Sequence, residues 1–94
     1  MMKYEIIMTS SFKKELKKIK KRNKDLSKII EIVSKLANDI ELDAKNIYHQ
    51  LVNNLRFQNC RECHIEPDWL LVYKKDNSNL ILFLIETGSH SDLV

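Results

Sequence analysis

The sequence predicts an α+β fold in the order β-α-α-β-β-β-β: an N-terminal strand, a two-helix hairpin, then a mainly antiparallel sheet. Three observations predict it. Apolar residues recur twice at helical spacing in the first half. They follow strand spacing in the second half, and turn-forming residues separate the later segments. The 94 residues are 44% hydrophobic and 31% charged, with one Gly and one Pro, which sets aside disordered, collagen-like and low-complexity classes. Residues 1–94 read as a single domain, without repeats or a linker.

Tyr4 to Met8 is apolar and β-prone, and reads as the opening strand. Thr9, Ser10 and Ser11 each offer an N-cap oxygen to a helix near residues 10–22, whose Phe12, Leu16 and Ile19 form a narrow apolar stripe among lysines. Asn23-Lys24-Asp25 interrupts it. Asp25 then caps a second helix near 25–38, with Leu26, Ile29, Ile30, Val33, Leu36 and Ala37 on one face. So short a joint predicts an antiparallel pair. Residues 38–50 have weak periodicity and read as a loop or short extra turn. Leu51 to Phe57 is expected as a first, polar strand, followed by Cys60 to Glu66, Trp69 to Lys75 and Leu80 to Thr87. Pro67-Asp68 and Asp76-Asn77-Ser78-Asn79 are the turns. Leu80 to Ile85 is apolar on both faces, which places that strand inside the sheet. Gly88 ends it, and Ser89 to Asp92 starts a last helical turn.

The net charge is +3, but its distribution is more informative. Lys13, Lys14, Lys17, Lys18, Lys20, Lys21, Arg22 and Lys24 are eight of the sixteen basic side chains, opposed locally only by Glu15. Such a run fits a polyanion such as RNA, and fits a solvated helix face equally well. No apolar run approaches the ~18 residues of a membrane span, and the first residues lack a signal-peptide core. A reducing cytoplasm is therefore expected, with Cys60 and Cys63 as thiols.

Few residue types here carry chemistry. His49 precedes the sheet, His64 lies late in the second of its strands, and His90 just past the last. Asp68 follows His64 in the next turn and Arg61 precedes it by three positions. Imidazoles with an orienting carboxylate and a guanidinium can perform general acid–base attack on a phosphodiester. The bland alternative, exposed polar residues at strand ends, stays open. Cys60-Arg61-Glu62-Cys63-His64 matches the haem-attachment string, but that chemistry belongs outside the cytoplasm and the string falls in a strand. Cys60 and Cys63 are an odd number of positions apart, so they face opposite sides of a strand and cannot share a metal. No metal and no cofactor are expected. Trp69 shares a face with Leu71 and Tyr73, which favours core, although its ring could also stack on a base.

The run Arg61-Glu62-Cys63-His64-Ile65-Glu66-Pro67-Asp68-Trp69-Leu70-Leu71-Val72-Tyr73, with Thr87-Gly88-Ser89-His90-Ser91-Asp92-Leu93, closely resembles the YafQ branch of the RelE/ParE toxin superfamily. Size, element order and the lysine-rich first helix agree over the whole chain. The resemblance implies a RelE-like fold and the toxin half of a bacterial type II toxin–antitoxin pair. It implies an endoribonuclease that cuts mRNA, typically on the ribosome, and a cognate antitoxin as partner. Carried over by position, the catalytic candidates are His49, His64, Asp68 and His90, with Arg61 and Trp69 as supports. The segment from Leu51 to Cys60 lacks the glycines of the family pattern, and Val94 stands where the family often has an aromatic residue.

RNA supplies its own nucleophile, the 2′-hydroxyl, and imidazoles suit both proton transfers at neutral pH. The implied roles are His64 or His49 as base, His90 as acid and Asp68 as the orienting group. Arg61 would offset charge on the transition state. Lys13, Lys14, Lys17, Lys18, Lys20 and Lys21 would hold mRNA or ribosomal phosphates, with Trp69 as a stacking surface. The rival reading is a ParE-like or inactive module that acts by gripping a protein. A basic DNA-binding protein would explain the lysines but not the histidines.

Overall fold

Strand alternation and two amphipathic helices resolve into one five-stranded sheet with helices on one face. The computed structural model describes residues 2–46, 48–50 and 59–93, with backbone alone at 48–50 and at 90. In order these are β1 (Glu5–Met8), α1 (Ser10–Lys21), α2 (Leu26–Ala37), a 3₁₀ turn (Ala44–Asn46), β2 (Tyr48–Gln50), β3 (Arg61–Glu66), β4 (Trp69–Asp76), β5 (Ile81–Gly88) and α3 (His90–Leu93).

Local chemistry sets the helix ends. The Thr9 Oγ1 accepts from the Phe12 N–H at 3.0 Å, and the Asp25 carboxylate accepts from the Ser27 N–H at 3.0 Å. Each helix is followed by a polar residue in the left-handed region, Asn23 (φ 59) and Asp39 (φ 57), as Asn and Asp tolerate there. Phe12 and Ile19 from α1 and Ile29, Ile32, Leu36 and Ala37 from α2 enter one core with Trp69, Leu71, Tyr73, Leu82 and Leu84 of the sheet.

The sheet order is β1-β5-β4-β3-β2. Neighbours among β2 to β5 run antiparallel, and β1 joins β5 in parallel. The apolar run in β5 is therefore interior, as its sequence implies. β4 is central, and its residues 69–73 are all buried. Alternation divides them. Trp69, Leu71 and Tyr73 face the helices, while Leu70 and Val72 form a second cluster with Cys60 and Leu93 on the other side. Cys60 and Cys63 fall in opposite clusters, as their odd spacing implies, and neither is in a disulfide.

One correction concerns residues 38–50. The expected loop contains the 3₁₀ turn and β2, whose three residues pair with Arg61, Glu62 and Cys63. The strand expected at Leu51 to Phe57 lies outside the described residues. No described helix is long and apolar enough to cross a membrane.

Beyond α2, Asp39 receives Lys3 Nζ at 2.7 Å and Lys75 Nζ at 2.6 Å, tying the N-terminal segment and β4 to the helix end. These hydrogen bonds, Lys3's the larger, hold the Asp39 carboxyl down to about 2 from 3.8. A lowered folded-state value gives stability that is present above the ordinary carboxylate value and lost as pH falls through the lowered one. Acid unfolding of Asp39→Asn, followed by circular dichroism, should therefore depend less steeply on pH between 4 and 2 than that of the parent chain. An unchanged slope would show the triad to be energetically idle.

Candidate active site

Register gathers most of the predicted residues at one end of the sheet. His64 stands opposite Leu70, and Leu70 stands opposite Gly88 on its other side. At the usual ~4.8 Å strand spacing, the His64 and Gly88 backbones are about 10 Å apart. Asp68 occupies the turn from β3 to β4 at this end, and His90 begins α3 two residues beyond Gly88. On β2, His49 stands opposite Glu62, two positions before His64. The side chains of His49 and His90 lie outside the described residues. His64, sharing its face with Leu70, is half-buried on the side away from α1 and α2, and Asp68 is exposed.

A bulge sets the position of His64. The register skips Ile65, so that Glu66 opposes Trp69. On the other side the described residues of β2 pair with Arg61 to Cys63. The next carbonyl, that of His64, accepts from the Nδ2 of Asn46 at 2.7 Å. Asn46 is buried at 4% exposure, and its side chain ties the 3₁₀ turn to β3 at this carbonyl.

Two supports predicted from sequence are corrected. Trp69 is 2% exposed, and its Nε1 donates to the Thr87 Oγ1 at 3.0 Å, while that hydroxyl donates to the Leu70 carbonyl at 2.7 Å. An indole so enclosed cannot stack on a base, and instead it locks β4 to β5 just before Gly88. Arg61 opposes Tyr73, on the helix-covered face. It lines a cavity of about 540 Å³ with Asp39, Tyr73, Lys75 and Asn77. The odd spacing that parts Cys60 from Cys63 also parts Arg61 from His64. The guanidinium is thus across the sheet from the imidazole it was expected to assist.

The basic helix reaches the same end. Lys24 and Lys28 bind Glu66 at 3.0 and 2.6 Å, and Arg22 stands 3.9 Å from Asp92. Lys18 is paired with Glu15 at 3.3 Å, whereas Lys13, Lys14, Lys17, Lys20 and Lys21 are exposed with no acidic partner among the described residues. Both thiols are poor nucleophiles, since burial raises the Cys60 value and pushes Cys63 up to about 12. Sequence reasoning misses Glu86, a carboxylate only 3% exposed. It accepts from the Ser11 hydroxyl and so fastens the start of α1 to β5. Its signal is one charge inside an apolar run. Among the described residues no three His, Cys, Asp or Glu side chains form a group that could hold a metal ion.

Comparison with known proteins is consistent over the full length. A family model described as the bacterial toxin of type II toxin–antitoxin systems, YafQ, matches residues 4–94. The mRNA interferase toxin YafQ of Escherichia coli (strain B / BL21-DE3) is 32% identical over 94 residues, covering 99% of this chain and 98% of that protein. Among solved structures, a metal-bound toxin from Helicobacter pylori superposes with a TM-score of 0.90 at 37% identity, covering all of both chains. YafQ in the E. coli DinJ–YafQ toxin–antitoxin complex superposes with a TM-score of 0.85 at 30% identity over 97% of each chain.

Trp69→Phe removes the Nε1 donor from a buried hydroxyl and should cost about 1–3 kcal/mol in urea unfolding. It should leave RNA affinity unchanged in a titration under folded conditions. Weaker RNA binding at unchanged stability would restore the stacking role.

Proposed function

The chain belongs to the YafQ family of bacterial type II toxin–antitoxin toxins, and we propose that it is an endoribonuclease that cleaves mRNA. In this reading residues 1–94 form one toxin domain that acts in the cytoplasm and on the ribosome, and a cognate antitoxin restrains it. The names of its relatives, an mRNA interferase and a toxin crystallised with its antitoxin, support the activity and the partner. The observation that carries the site is the row His64–Leu70–Gly88, which sets one imidazole on a strand within about 10 Å of the backbone leading to a second.

The reaction follows from the substrate. His64 or His49 takes the proton of the 2′-hydroxyl as its oxygen attacks the adjacent phosphorus. His90 gives a proton to the departing 5′-oxygen, and Asp68 orients an imidazole. With Arg61 on the other face, charge on the pentacoordinate transition state falls to the protonated imidazole and the cations at the end of α1. Lys13, Lys14, Lys17, Lys20 and Lys21 of α1 hold RNA phosphates. Antitoxin bound across this surface would block substrate.

Cleavage should yield a 2′,3′-cyclic phosphate, or its opened 3′-phosphate, and a 5′-hydroxyl. A 2′-deoxy residue just 5′ of the cut should bind without reacting. His64→Ala and His90→Ala should each lower the rate by ~10²–10⁴ while antitoxin binding persists. Arg61→Gln should stay within about threefold of the parent, well short of the effect of removing a cation that touches the transition state. Products with a 5′-phosphate, or full activity in both histidine variants, would reject this mechanism in favour of a protein-binding module.

Replacing Lys13, Lys14, Lys17, Lys20 and Lys21 by Gln should weaken RNA or ribosome binding. The salt dependence of log K should flatten by about 0.7–0.9 for each phosphate that the helix no longer neutralises. The thermal midpoint should barely move, because exposed charges contribute little to folding. Unchanged affinity and salt slope would reduce the run to a solvated face.

A further inference from the structure

We propose that Ser89 and Asp92 are positioning residues for His90, acting through a reciprocal cap on the short helix that His90 opens. The proposal rests on the reading of His90 as the acid in RNA cleavage. Because α3 has only four residues, it cannot hold its own conformation by propagation of helical hydrogen bonds. Side chains hold it instead. The Asp92 Oδ2 accepts from the Ser89 backbone N–H at 3.1 Å, and the Asp92 backbone N–H lies 3.3 Å from the accepting Ser89 Oγ. This is the geometry of a capping box, with Asp at the position where Glu is usual. The Ser89 carbonyl also accepts from the N–H groups of Asp92 and Leu93, at 3.1 and 3.2 Å. His90 and Ser91 are the two residues enclosed.

A second observation links this box to the sheet. A Cβ added to Gly88 would lie 3.1 Å from both the Cβ and the Oδ2 of Asp92. The carboxylate is therefore packed against the residue that shares a row with Leu70 and His64. The box thus passes the register of the sheet to the backbone on both sides of His90. The Arg22 Nη1, 3.9 Å from the same Oδ2, adds the end of the basic helix. The Ser89 hydrogen bonds, more than the neighbouring cations, hold the Asp92 carboxyl below its ordinary value, as expected for a carboxylate committed to backbone N–H.

The distinction from plain stability is one of place. Asp92 is 39% exposed on a terminal turn, so its removal should hardly disturb the core. A misplacement of ~1 Å at a reacting group can nonetheless cost ~10²-fold in rate.

The test uses the full chain and an mRNA it cleaves, with kcat and KM measured separately alongside the thermal midpoint. Asp92→Ala should lower kcat about 10- to 100-fold with KM within about threefold. Asp92→Glu, which keeps the box, should recover the rate to within about threefold. In the His90→Ala background, Asp92→Ala should change the residual rate by less than about twofold, since a positioning residue acts only through the group it positions. Should Asp92→Ala unfold the chain, Ser89→Ala, which removes one bond of the box, carries the same comparison. A parent-like kcat in the folded variant, or an equally large drop without His90, overturns the proposal while His90→Ala still reports on the reaction. A parent-like rate in His90→Ala overturns the catalytic reading, and the positioning role falls with it.

Discussion

The ladder through Leu70 is the constraint on which the rest of the molecule depends. Leu70 is 1% exposed and pairs with His64 on one side and Gly88 on the other. Any slip of β4 by one residue would exchange its two apolar faces and part His64 from the His90 backbone together. Neighbouring side chains oppose that slip. Trp69 and Thr87 lock β4 to β5 by a buried hydrogen bond, and the buried Asn46 side chain holds the His64 carbonyl. Full burial of Trp69 and Leu71 contributes about 1.5–3 kcal/mol each, so the site inherits its register from the core rather than from interactions of its own.

Most of what depends on one strand or one helix at a time is legible in the sequence, although in α2 Ile30, read as part of the buried face, is exposed and Ile32 is buried instead. The stripe of Phe12, Leu16 and Ile19 marks a buried helix face, and parity assigns Trp69, Leu71 and Tyr73 to one side of β4. Features that need two strands are not legible. The skipped residues, Ile65 in β3 and Ile85 in β5, are defined only against a partner's register. β2 has three residues, too few for periodicity to declare itself. Arg61 is a different kind of miss. The parity that separates Cys60 from Cys63 applies to Arg61 and His64 as well, yet their closeness along the chain suggests a shared site. Within a strand, sequence distance measures length, and parity decides company.

The lysine-rich helix illustrates how little a charge count says by itself. Lys18, Lys20 and Lys21 in the last turn of α1 suit its dipole, but exposed charges of one sign repel and add little to stability. Some of this charge is neutralised locally, at Glu15, Glu66 and Asp92. The pairs with Glu66 and Asp92 lie at the end of the sheet where His64 and Asp68 sit, and they join the residues just after α1 to the end of β3 and to α3. Lys13, Lys14, Lys17, Lys20 and Lys21, which have no acidic partner among the described residues, therefore continue outward from the candidate site along one helix. A polyanion gripped there would be led toward His64 and Asp68 rather than merely held.

The acid–base chemistry by imidazole proposed above agrees with what the other described side chains at this end can offer. The thiols are buried and held protonated, Cys63 up to about 12, and the Glu66 carboxylate is committed to two lysines that hold it below its ordinary value. Tyr73 and Trp69 are enclosed in the core. Half-buried His64 and exposed Asp68 remain at the rim, where ordered strands end and a flexible polymer can enter. The sheet thus stops just short of the proposed site. β4 fixes where the strand ends lie, and the turn at Asp68 and the cap at Ser89 carry that order the last few ångströms. In the proposed reaction the substrate brings its own nucleophile, and it would need little more from the protein than proton carriers held at two points.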